Sequence, residues 1–406
     1  MSATRAHWLT IVGIGEDGLR ALGDEARRAI DTAEVLIGGK RHLEKVAEHH
    51  AEKVSWGKDF DKGVEAIRQH EGKRVVVLAS GDPMYFGVGS TLGRRFDIEA
   101  MTVIPAPGAF SLAAARMGWS LPDVSCLTVH GRALETVNLY LHPDARLLIL
   151  SWDGATPAKL AALLTQKGYG ESKITVMEHM GGVDEQKIKG AAQSWNVLET
   201  AALNTIAVTC VAGVDAVAWS RAPGLPEDAF EHDNMVTKRE VRAATISALA
   251  PLPGETLWDV GAGSGTVAIE WLRLEPSVTA IAIERHEKRV GFIRANAANL
   301  GVPRLQVVEG LAPEALDAIE GAPDAVFIGG GVSDAAVMEA CWGRLADGGR
   351  LVANAVTLEA QQSLLAFRDN YGGRMTRLSI AREDSVGPLN GMRPMMEVWQ
   401  LYVEKT

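Results

Sequence analysis

The chain of 406 residues has a formal net charge of −10, and 47% of its residues are hydrophobic and 6% aromatic. This length indicates two or three domains with sizeable cores, and the acidic balance excludes a general electrostatic attraction to nucleic acid. No apolar run is long enough to cross a bilayer, and the first residues lack a signal-peptide pattern. Cys126, Cys210 and Cys341 are isolated, which argues against a disulfide framework or a zinc site, so we expect no metal and a cytoplasmic compartment.

The first half of the chain is predicted to alternate strands and helices. Leu9–Gly18 reads as an apolar strand followed by a glycine turn, which alone indicates a structural turn as readily as a ligand site. Buried-type strands are predicted at Arg74–Leu78, Leu147–Leu150 and Ile174–Glu178. Val103–Ser111 is predicted to be a strand end and turn that leads into an alanine-rich helix.

A stretch rich in proline, glycine and acidic residues, Ser220–Asp228, separates two regions with regular hydrophobic patterns. We therefore predict a first domain over residues 1–219, a linker over 220–234 and a second domain over 235–406. The two halves share no internal repeat, so we expect two different folds.

The most informative pattern of the second half is a strand that enters a helix through a glycine turn. Thr256–Val260 is the strand, and Gly261, Gly263 and Gly265 allow a tight turn that brings a ligand close to backbone amides. Glu284 ends the next apolar run about 20 residues later, the distance at which a second strand places a carboxylate beneath a ribose. The pattern therefore predicts a ligand that contains adenosine.

The glycine spacing distinguishes the possible ligands. Dinucleotide-binding folds use G-x-G-x-x-G, whereas this chain has G-x-G-x-G with Thr266 where the third glycine would stand. The run D-V-G-A-G-S-G resembles the first motif of the class I S-adenosylmethionine methyltransferases. S-adenosylmethionine is therefore favoured over a nicotinamide cofactor and over a turn that binds nothing.

Strands and helices continue to alternate towards the C-terminus. Helices are predicted at His286–Leu300 and Ser333–Leu345, and strands at Leu305–Glu309, Asp324–Ile328 and Arg350–Ala355. Such alternation implies right-handed crossovers and a parallel sheet covered on both faces. Ligands bind these sheets at the carboxyl ends of the strands, where the glycine turns of this half fall.

Longer motifs in both halves resemble enzymes of one pathway. In the first half, V-G-I-G, S-G-D-P-M-Y-F-G and P-A-P-G-A-F-S-L-A-A-A-R-M-G resemble the tetrapyrrole methylases. In the second half, E-D-A-F-E-H-D-N-M-V-T-K-R-E-V-R and P-G-E-T-L-W-D-V-G-A-G-S-G resemble the companion methyltransferase domain of cobalamin biosynthesis. The resemblance covers nearly the whole chain and implies an α/β protein with a bilobal tetrapyrrole methylase domain and a Rossmann-like class I methyltransferase domain.

Joined in this order, the halves resemble the fused decarboxylating methyltransferases of that pathway. The resemblance implies methylation of carbons five and fifteen of precorrin-6B and decarboxylation of the acetate at carbon twelve, giving precorrin-8X. The first half would methylate carbon five, and the second would methylate carbon fifteen and promote the decarboxylation. It also implies one S-adenosylmethionine site per domain, a tetrapyrrole substrate and a homo-oligomer. Because the conjugated macrocycle is itself the nucleophile, no catalytic triad is expected and no catalytic side chain is identified.

The resemblance also transfers binding roles to individual residues. In the second half, the residues expected at the cofactor are Thr237 of the entry segment, Gly261, Ala262, Gly263, Ser264 and Gly265 of the turn, Glu284 at the ribose, and Leu311 and Ala312 beside the adenine. The family form beside the adenine is G-D-A-P-E-A-L, and Leu311 replaces its acid, so backbone contacts are expected there. In the first half, the expected cofactor residues are Gly81, Asp82, Pro83, Met84 and Ser111, with Gly108 nearby, whereas Gly13 and Gly15 would face the substrate.

A substrate with many carboxylates requires local cations in an acidic protein. The candidates are Arg132 and Arg393, which stand beside glycine in predicted loops, and Lys238, Arg239 and Arg242 of the entry segment. For each of them, a solvated or ion-paired role on the surface is the alternative.

Two other functions compete with this prediction. An RNA methyltransferase would show a basic face with interleaved aromatic residues, and its amino-group methylation motif is replaced here by Ile328-Gly329-Gly330-Gly331. A non-catalytic S-adenosylmethionine sensor would not need two cofactor sites. We therefore expect no nucleic acid or membrane partner, with RNA methylation as the alternative function.

Overall fold

The computed structural model describes residues 7–57 and 60–406. The described residues form two compact units: unit 1 contains those up to 132 and residues 142–217, and unit 2 contains residues 133–141 and 218–406. The short segment 133–141 packs within unit 2, where Asn138 Nδ2 donates a hydrogen bond of 3.0 Å to the Ala298 carbonyl. Leu225 and Phe230 from the predicted linker are buried in the core of unit 2.

Unit 1 contains two five-stranded sheets, which form two lobes. The first lobe consists of β1 (Leu9–Ile14), α1 (Asp24–Asp31), β2 (Val35–Gly38), α2 (Lys40–Glu44), β3 (Glu52–Ser55), α3 (Phe60–Gln69), β4 (Val75–Ser80), α4 (Val88–Leu92) and β5 (Met101–Ile104). Its sheet is parallel throughout, with the order β3-β2-β4-β1-β5. Neighbouring residues of β1 such as Ile11 and Val12 point to opposite faces and are both fully buried, as expected for a sheet covered on both sides. The loops after β1 and β4 therefore meet at one edge.

The second lobe has a mixed sheet. Its elements are α5 (Ala109–Met117), β6 (Ser125–Thr128), β7 (Arg146–Leu150), α6 (Thr156–Gln166), β8 (Lys173–Glu178), β9 (Gln186–Ala191) and β10 (Asn204–Thr209). The strand order is β6-β7-β10-β8-β9, and the β6–β7 pair is parallel while the other pairs are antiparallel. The predicted bilobal α/β fold of the first half is confirmed.

Unit 2 is built around a seven-stranded sheet. Its elements are α7 (Arg239–Leu249), β11 (Thr256–Val260), α8 (Thr266–Leu274), β12 (Thr279–Glu284), α9 (Glu287–Asn299), β13 (Gln306–Glu309), β14 (Ala325–Ile328), α10 (Ala335–Arg344), β15 (Arg350–Ala355), α11 (Leu358–Tyr371), β16 (Arg374–Leu378), β17 (Ala381–Val386), β18 (Leu389–Pro394) and β19 (Val398–Glu404). The strands from β11 to β15 and the helices between them agree with the sequence prediction. The strands from β16 to β19 were not predicted, and β17 and β18 form a separate hairpin.

The strand order of this sheet is β13-β12-β11-β14-β15-β19-β16. The chain moves from β11 to β12 on one side and later returns to place β14 on the other side. Such a reversal leaves a crevice at the carboxyl ends of the two central strands, where ligands of open α/β sheets bind. The buried Trp258 and Trp271 belong to separate hydrophobic clusters of this unit. The fold thus confirms a Rossmann-like unit and positions the glycine turn at the crevice.

Candidate functional site

The loop between β11 and α8 is the glycine turn at the crevice of unit 2. Its three glycines have positive φ angles between 59° and 77°. A Cβ at Gly261 would lie 2.7 Å from Gly330 Cα, and a Cβ at Gly265 would lie 3.1 Å from the side chain of Ile293. These two glycines therefore allow neighbouring segments to pack closely. Gly263 differs from these two glycines. A Cβ at Gly263 would have the Met235 carbonyl oxygen as its nearest neighbour, at 3.7 Å, so there is free space beside this residue.

Glu284 is buried at the carboxyl end of β12 and is directed at this turn. Its Oε2 accepts a hydrogen bond from the Gly263 N–H at 2.8 Å, and its Oε1 accepts one from the His286 N–H at 3.0 Å. An ionised carboxylate has about four acceptor positions. Glu284 therefore holds the open glycine in place and retains acceptor capacity for the hydroxyl groups of a ribose.

The entry segment before α7 runs past the open glycine. Met235 contributes the carbonyl near Gly263, and Thr237 is half-buried two residues later. The segment is anchored by Arg242, whose Nη1 donates to the Thr237 carbonyl at 2.5 Å. The structure therefore brings the predicted Thr237 to the same side of unit 2 as the glycine turn.

Arg242, one of the candidate substrate cations, is instead a buried structural residue. Its side chain is 0% exposed and its Nε donates to Glu270 Oε1 at 2.7 Å, while the Glu270 side chain is 2% exposed. It also donates to the carbonyl of Leu225. Because the guanidinium is hydrogen-bonded to these buried partners, Arg242 stabilises the entry segment rather than contacting substrate.

Leu311 and Ala312, the residues expected beside the adenine, lie in the turn after β13. The Gly310 N–H donates to the Glu284 carbonyl at 3.0 Å, which fixes the turn after β13 next to β12. Leu311 is 56% exposed and Ala312 is buried. A leucine side chain cannot accept a hydrogen bond, so this turn offers an adenine an apolar surface and backbone groups.

Two buried polar atoms near the turn have no hydrogen-bond partner among the described residues: Asp259 Oδ1 at the end of β11 and Ser264 Oγ within the turn. Burial raises the pKa of Asp259 to about 7. The other carboxylate oxygen accepts a hydrogen bond from the Ala268 N–H at 3.0 Å, which lowers the pKa, whereas the negative charge of Glu284 raises it further. Unpaired buried polar atoms are costly. Together with the space at Gly263 and the acceptors of Glu284, they fit a ligand with the polar ribose and amino-acid groups of S-adenosylmethionine.

An open pocket of about 180 Å³ lies at the carboxyl ends of β14 and β15. Its lining includes Gly330, Ser333, Asn354 and Thr357. Asn354 Nδ2 donates to Thr245 Oγ1 at 2.9 Å, and its Oδ1 accepts from Gln400 Nε2 at 2.9 Å, so its amide is held in one orientation. The pocket adjoins the glycine turn through the contact between Gly330 and Gly261. Sequence analysis missed Asn354 because its partners come from α7 and β19.

In unit 1, the end of β1 and the loops after β4 and β5 meet at three glycines. A Cβ at Gly13 would lie 2.0 Å from the Gly81 carbonyl oxygen, and a Cβ at Gly81 would lie 2.9 Å from Gly108 Cα. Backbones can approach this closely only without side chains. Gly13, which was expected to face the substrate, therefore packs against the backbone of the predicted cofactor loop.

The predicted cofactor loop continues from Gly81 through Asp82, Pro83 and Met84. Asp82 Oδ1 accepts the Met84 N–H at 2.8 Å, which closes a short turn. Pro83 is buried and Met84 is 48% exposed. Ser111 is exposed in the first turn of α5, close in sequence to the glycine that touches Gly81. Gly81 and Asp82 thus lie against Gly108, three positions before Ser111.

Exposed aromatic side chains follow this loop. Tyr85 and Phe86 are 52% and 46% exposed, and both rings pack edge-on against the buried ring of Phe110. The guanidinium of Arg132 lies 5.5 Å from the centroid of the Phe86 ring. Arg132 is exposed in a turn, as predicted. An apolar ring surface beside a cation suits a planar molecule that carries carboxylates.

Sequence analysis missed a polar cluster at the same edge of the sheet, formed by Glu16, Arg41, His42, Lys45 and Ser80. Glu16 Oε1 accepts from Arg41 Nη1 at 2.8 Å and from Lys45 Nζ at 2.6 Å. Arg41 Nη2 donates to Ser80 Oγ at 3.0 Å, and His42 Nε2 lies 2.9 Å from the same oxygen. Since Ser80 precedes the glycine junction directly, the polar cluster borders the predicted cofactor loop. The available signal was the basic K-R-H run that follows two glycines at the end of β2.

The remaining substrate candidates lie in unit 2. Lys238 is half-buried at the N-cap of α7, and Arg239 is exposed at the first position of that helix. Arg393 was expected in a loop but lies in β18, where its exposed side chain pairs with Asp384 Oδ2 at 2.7 Å. The loop prediction for Arg393 was wrong because the glycine-containing segment pairs with β17 as a hairpin.

Within residues 7–57 and 60–406, no helix is long and apolar enough to span a bilayer. In the same part of the chain, no group of three or more histidine, cysteine, aspartate or glutamate side chains could hold a metal ion.

Two family models match the chain, one in each half. Residues 8–194 match the model described as Tetrapyrrole (Corrin/Porphyrin) Methylases, and residues 228–405 match the model described as Precorrin methyltransferase domain. The order of the two matches agrees with the order of the two resemblances in the sequence.

Three curated relatives extend these matches. The chain is 47% identical to the precorrin-6Y C(5,15)-methyltransferase [decarboxylating] of Sinorhizobium sp, over 97% of this chain and 95% of the relative. It is 32% identical to the cobalt-precorrin-7 C(5)-methyltransferase of Salmonella typhimurium, over 44% of this chain and 88% of that protein. It is 33% identical to the probable cobalt-precorrin-6B C(15)-methyltransferase (decarboxylating) of Saccharolobus solfataricus, over 37% of this chain and 78% of that protein. The chain therefore belongs to the family of the decarboxylating precorrin-6Y C(5,15)-methyltransferases.

Proposed function

We propose that this chain transfers methyl groups from S-adenosylmethionine to carbons five and fifteen of precorrin-6B and removes the carboxyl group of the acetate at carbon twelve, giving precorrin-8X. The observation that carries the proposal is the 47% identity over nearly the full length of a relative named for both methylations and for decarboxylation. One glycine junction at the carboxyl edge of a parallel sheet in each unit supports one cofactor site per unit.

We assign carbon five to unit 1 and carbon fifteen, with the decarboxylation, to unit 2. Shorter relatives named separately for the C(5) and the C(15) reaction match 44% and 37% of the chain. Two independent proteins with one reaction each support a division of the same reactions between two units of one chain.

The binding roles in unit 2 follow from the geometry of its crevice. Glu284 would hold the ribose hydroxyls, the space beside Gly263 would admit the methionine end, and Leu311 would lie against the adenine. S-adenosylmethionine supplies an electrophilic methyl group when bound, and the conjugated macrocycle supplies the electrons. The neutral hydrogen-bonding groups of the adjoining pocket, Asn354 and Thr357 among them, would orient the reacting part of the substrate.

Each unit has its own candidate cations for the substrate carboxylates. In unit 1, Arg132 stands beside the exposed ring of Phe86, so it can bind a carboxylate while the ring contacts the macrocycle. In unit 2, Lys238 lies next to the predicted cofactor residue Thr237. Arg393 is a weaker candidate because Asp384 already neutralises it.

The competing functions receive less support. The relatives reported above are named for precorrins, and none of them favours RNA as a substrate. A sensor would not need a cofactor junction in each unit. We therefore propose a tetrapyrrole substrate without a nucleic acid partner, and the free Cys126, Cys210 and Cys341 support the proposed cytoplasmic location.

Mass spectrometry of the product tests the proposed function directly. Purified protein incubated with precorrin-6B and S-adenosylmethionine should yield a tetrapyrrole that has gained two methyl groups and lost one carboxyl group. Substrate that remains unchanged, although the protein binds S-adenosylmethionine, would refute the proposed substrate and leave the two folds unaffected.

We further propose that the protein forms a homo-oligomer through the β17–β18 hairpin. The hairpin exposes Val386, Leu389 and Met392, at 65%, 72% and 66%. Its base is fixed by Arg382, which donates to Glu227 Oε1 at 2.7 Å. Apolar side chains on an anchored hairpin are typical of surfaces that become covered by association.

The double substitution Leu389→Asp and Met392→Asp should therefore convert the oligomer into a monomer, since it places charges in the proposed interface. Light scattering after size-exclusion chromatography measures the change in mass. Val183→Asp, at a valine of unit 1 that is 94% exposed, is the matched control and should leave the mass unaltered. A monomeric wild-type protein would contradict the proposal.

A further inference from the structure

The polar cluster of unit 1 contains an exposed hydroxyl group beside a half-buried imidazole. Ser80 is exposed at the end of β4, directly before the glycine junction. The ring of His42 is largely enclosed and its Nε2 lies 2.9 Å from Ser80 Oγ. Hydroxyl groups paired with a histidine in this way are activated for proton transfer.

The donors around His42 determine which ring nitrogen carries the proton. Arg41 Nη2 lies 3.5 Å from His42 Nε2, and a guanidinium group can only donate hydrogen bonds. We therefore assign Nε2 as the unprotonated nitrogen and place the ring proton on Nδ1. Ser80 Oγ accepts the hydrogen bond from Arg41 at 3.0 Å, which leaves its own proton to be donated to Nε2. The arrangement draws the Ser80 proton towards the ring.

The charges around the ring keep it neutral. Burial, followed by the positive charges of Arg41 and Lys45, lowers the pKa of His42 to about 4, while the carboxylate of Glu16 acts in the opposite direction. These charged groups face the ring from α2 and from the loop after β1; His179 of the second lobe lies 3.4 Å from Glu16. At neutral pH, His42 is therefore an uncharged proton acceptor with a fixed lone pair.

A purely structural role does not account for this arrangement. The ion pairs of Glu16 with Arg41 and Lys45 are sufficient to link the loop after β1 to α2. They do not require an exposed hydroxyl between a guanidinium and an imidazole lone pair. In addition, His42 Nδ1 is buried without a hydrogen-bond partner among the described residues. Burying an unpaired polar atom costs free energy, and packing of the ring alone does not offset this cost.

Methylation of a meso carbon releases a proton, because the methyl group replaces the hydrogen of that carbon. We propose that Ser80 and His42 accept this proton in unit 1, with Arg41 as a positioning residue that polarises Ser80. The inference rests on the proposed methylation of carbon five by unit 1. It assigns a chemical role to two residues outside the predicted cofactor loop.

The electrons and protons of the step balance without a further reactant. The carbon–carbon bond to the methyl group forms with an electron pair of the macrocycle, and the methyl–sulfur bond breaks with its pair remaining on sulfur. The carbon–hydrogen bond then breaks, and its pair restores the conjugated system. The proton passes to Ser80 Oγ as the proton of Ser80 passes to His42 Nε2. A weak base is sufficient because the methylated, cationic macrocycle is strongly acidic. Because the pKa of His42 is low, the protonated ring then releases the proton to water.

Ser80→Ala and His42→Gln test the proposal in the full-length protein. Methyl transfer from carbon-13-labelled S-adenosylmethionine, followed by NMR, reports carbons five and fifteen separately. Both variants should slow single-turnover methylation of carbon five by about 100-fold or more, and substrate deuterated at carbon five should then show a normal isotope effect. Cofactor affinity and methylation of carbon fifteen should remain at wild-type values. Ser120→Ala, at an exposed serine of the same unit, is the matched control.

A second measurement does not depend on activity. NMR of nitrogen-15-labelled histidines should show His42 neutral down to pH 5 in the wild type, and Arg41→Gln should raise its pKa towards the ordinary value. Wild-type methylation of carbon five by Ser80→Ala, loss of cofactor binding in that variant, or an ordinary titration of His42 would each overturn the proposal. A wild-type protein that leaves carbon five unmethylated would instead refute the proposed function.

Discussion

Gly263→Arg is expected to abolish methylation of carbon fifteen and the decarboxylation, while methylation of carbon five continues. Gly263 faces the open space of the crevice, with its N–H bonded to Glu284 at 2.8 Å. A long cationic side chain there would occupy the proposed methionine subsite and lie against a buried carboxylate. The positive φ of 59° adds strain of about 1–2 kcal/mol for any residue with a Cβ.

Titration calorimetry and product analysis measure this effect together. S-adenosylmethionine stoichiometry should fall from two to one per chain, and the product should carry one new methyl group, at carbon five. Gly291→Arg is the matched control, because Gly291 is exposed on α9 of the same unit and a Cβ there meets no atom within 4 Å. Full methylation at carbon fifteen by Gly263→Arg would show that the glycine turn does not bind the methyl donor.

The parts of the fold that were predicted correctly are those encoded locally. The alternation from β11 to β15 is visible in the sequence because each apolar run ends at a glycine turn or a helix start. Glu284 could be identified by spacing, since consecutive parallel strands place their carboxyl ends at one edge. The hairpin of β17 and β18 was missed because its sequence, with charged and polar residues on both faces, lacks the alternation of a half-buried strand.

The parts of the site that sequence analysis missed depend on partners distant in the chain. Arg242 looked like a surface cation because its partner Glu270 comes from the next helix of the fold. Asn354 becomes a positioned pocket residue through α7 and β19. The Ser80–His42 pair joins the end of β4 to α2. Spacing rules describe one strand and the following turn, so they do not reveal side chains that meet through tertiary packing.

Glu270→Ala is expected to destabilise unit 2 by about 3–5 kcal/mol, because it leaves the guanidinium of Arg242 buried without its counter-charge. Glu270 also accepts hydrogen bonds from the N–H groups of Gly224 and Leu225, both at 2.8 Å. The substitution therefore leaves three buried donors unpaired at once. Urea unfolding measures the loss in free energy of unfolding. The transition is monitored by hydrogen exchange of peptides from α8, so that unit 2 is observed separately from unit 1.

A surface ion pair of the same unit provides the control for this prediction. Glu240 bonds to Arg382 at 2.5 Å, but both side chains are about two-fifths exposed, at 42% and 40%. Exposed pairs contribute about 0–1 kcal/mol. Glu240→Ala should therefore shift the unfolding transition of unit 2 much less than Glu270→Ala. Equal shifts would show that burial of the Arg242–Glu270 pair has no special energetic effect.

The same buried pair should also control cofactor binding in unit 2. Arg242 holds the Thr237 carbonyl, and the preceding residues border the open space at Gly263. At low temperature, where Glu270→Ala remains folded, its unit 2 site should bind S-adenosylmethionine about 10-fold more weakly, while the unit 1 site is unaffected. The double variant Arg242→Met, Glu270→Leu removes both charges of the pair and should regain part of the stability, while the N–H groups of Gly224 and Leu225 stay unpaired. It should still bind the cofactor weakly, because the entry segment has lost its anchor. Recovery of full affinity would show that cofactor binding does not depend on this anchor.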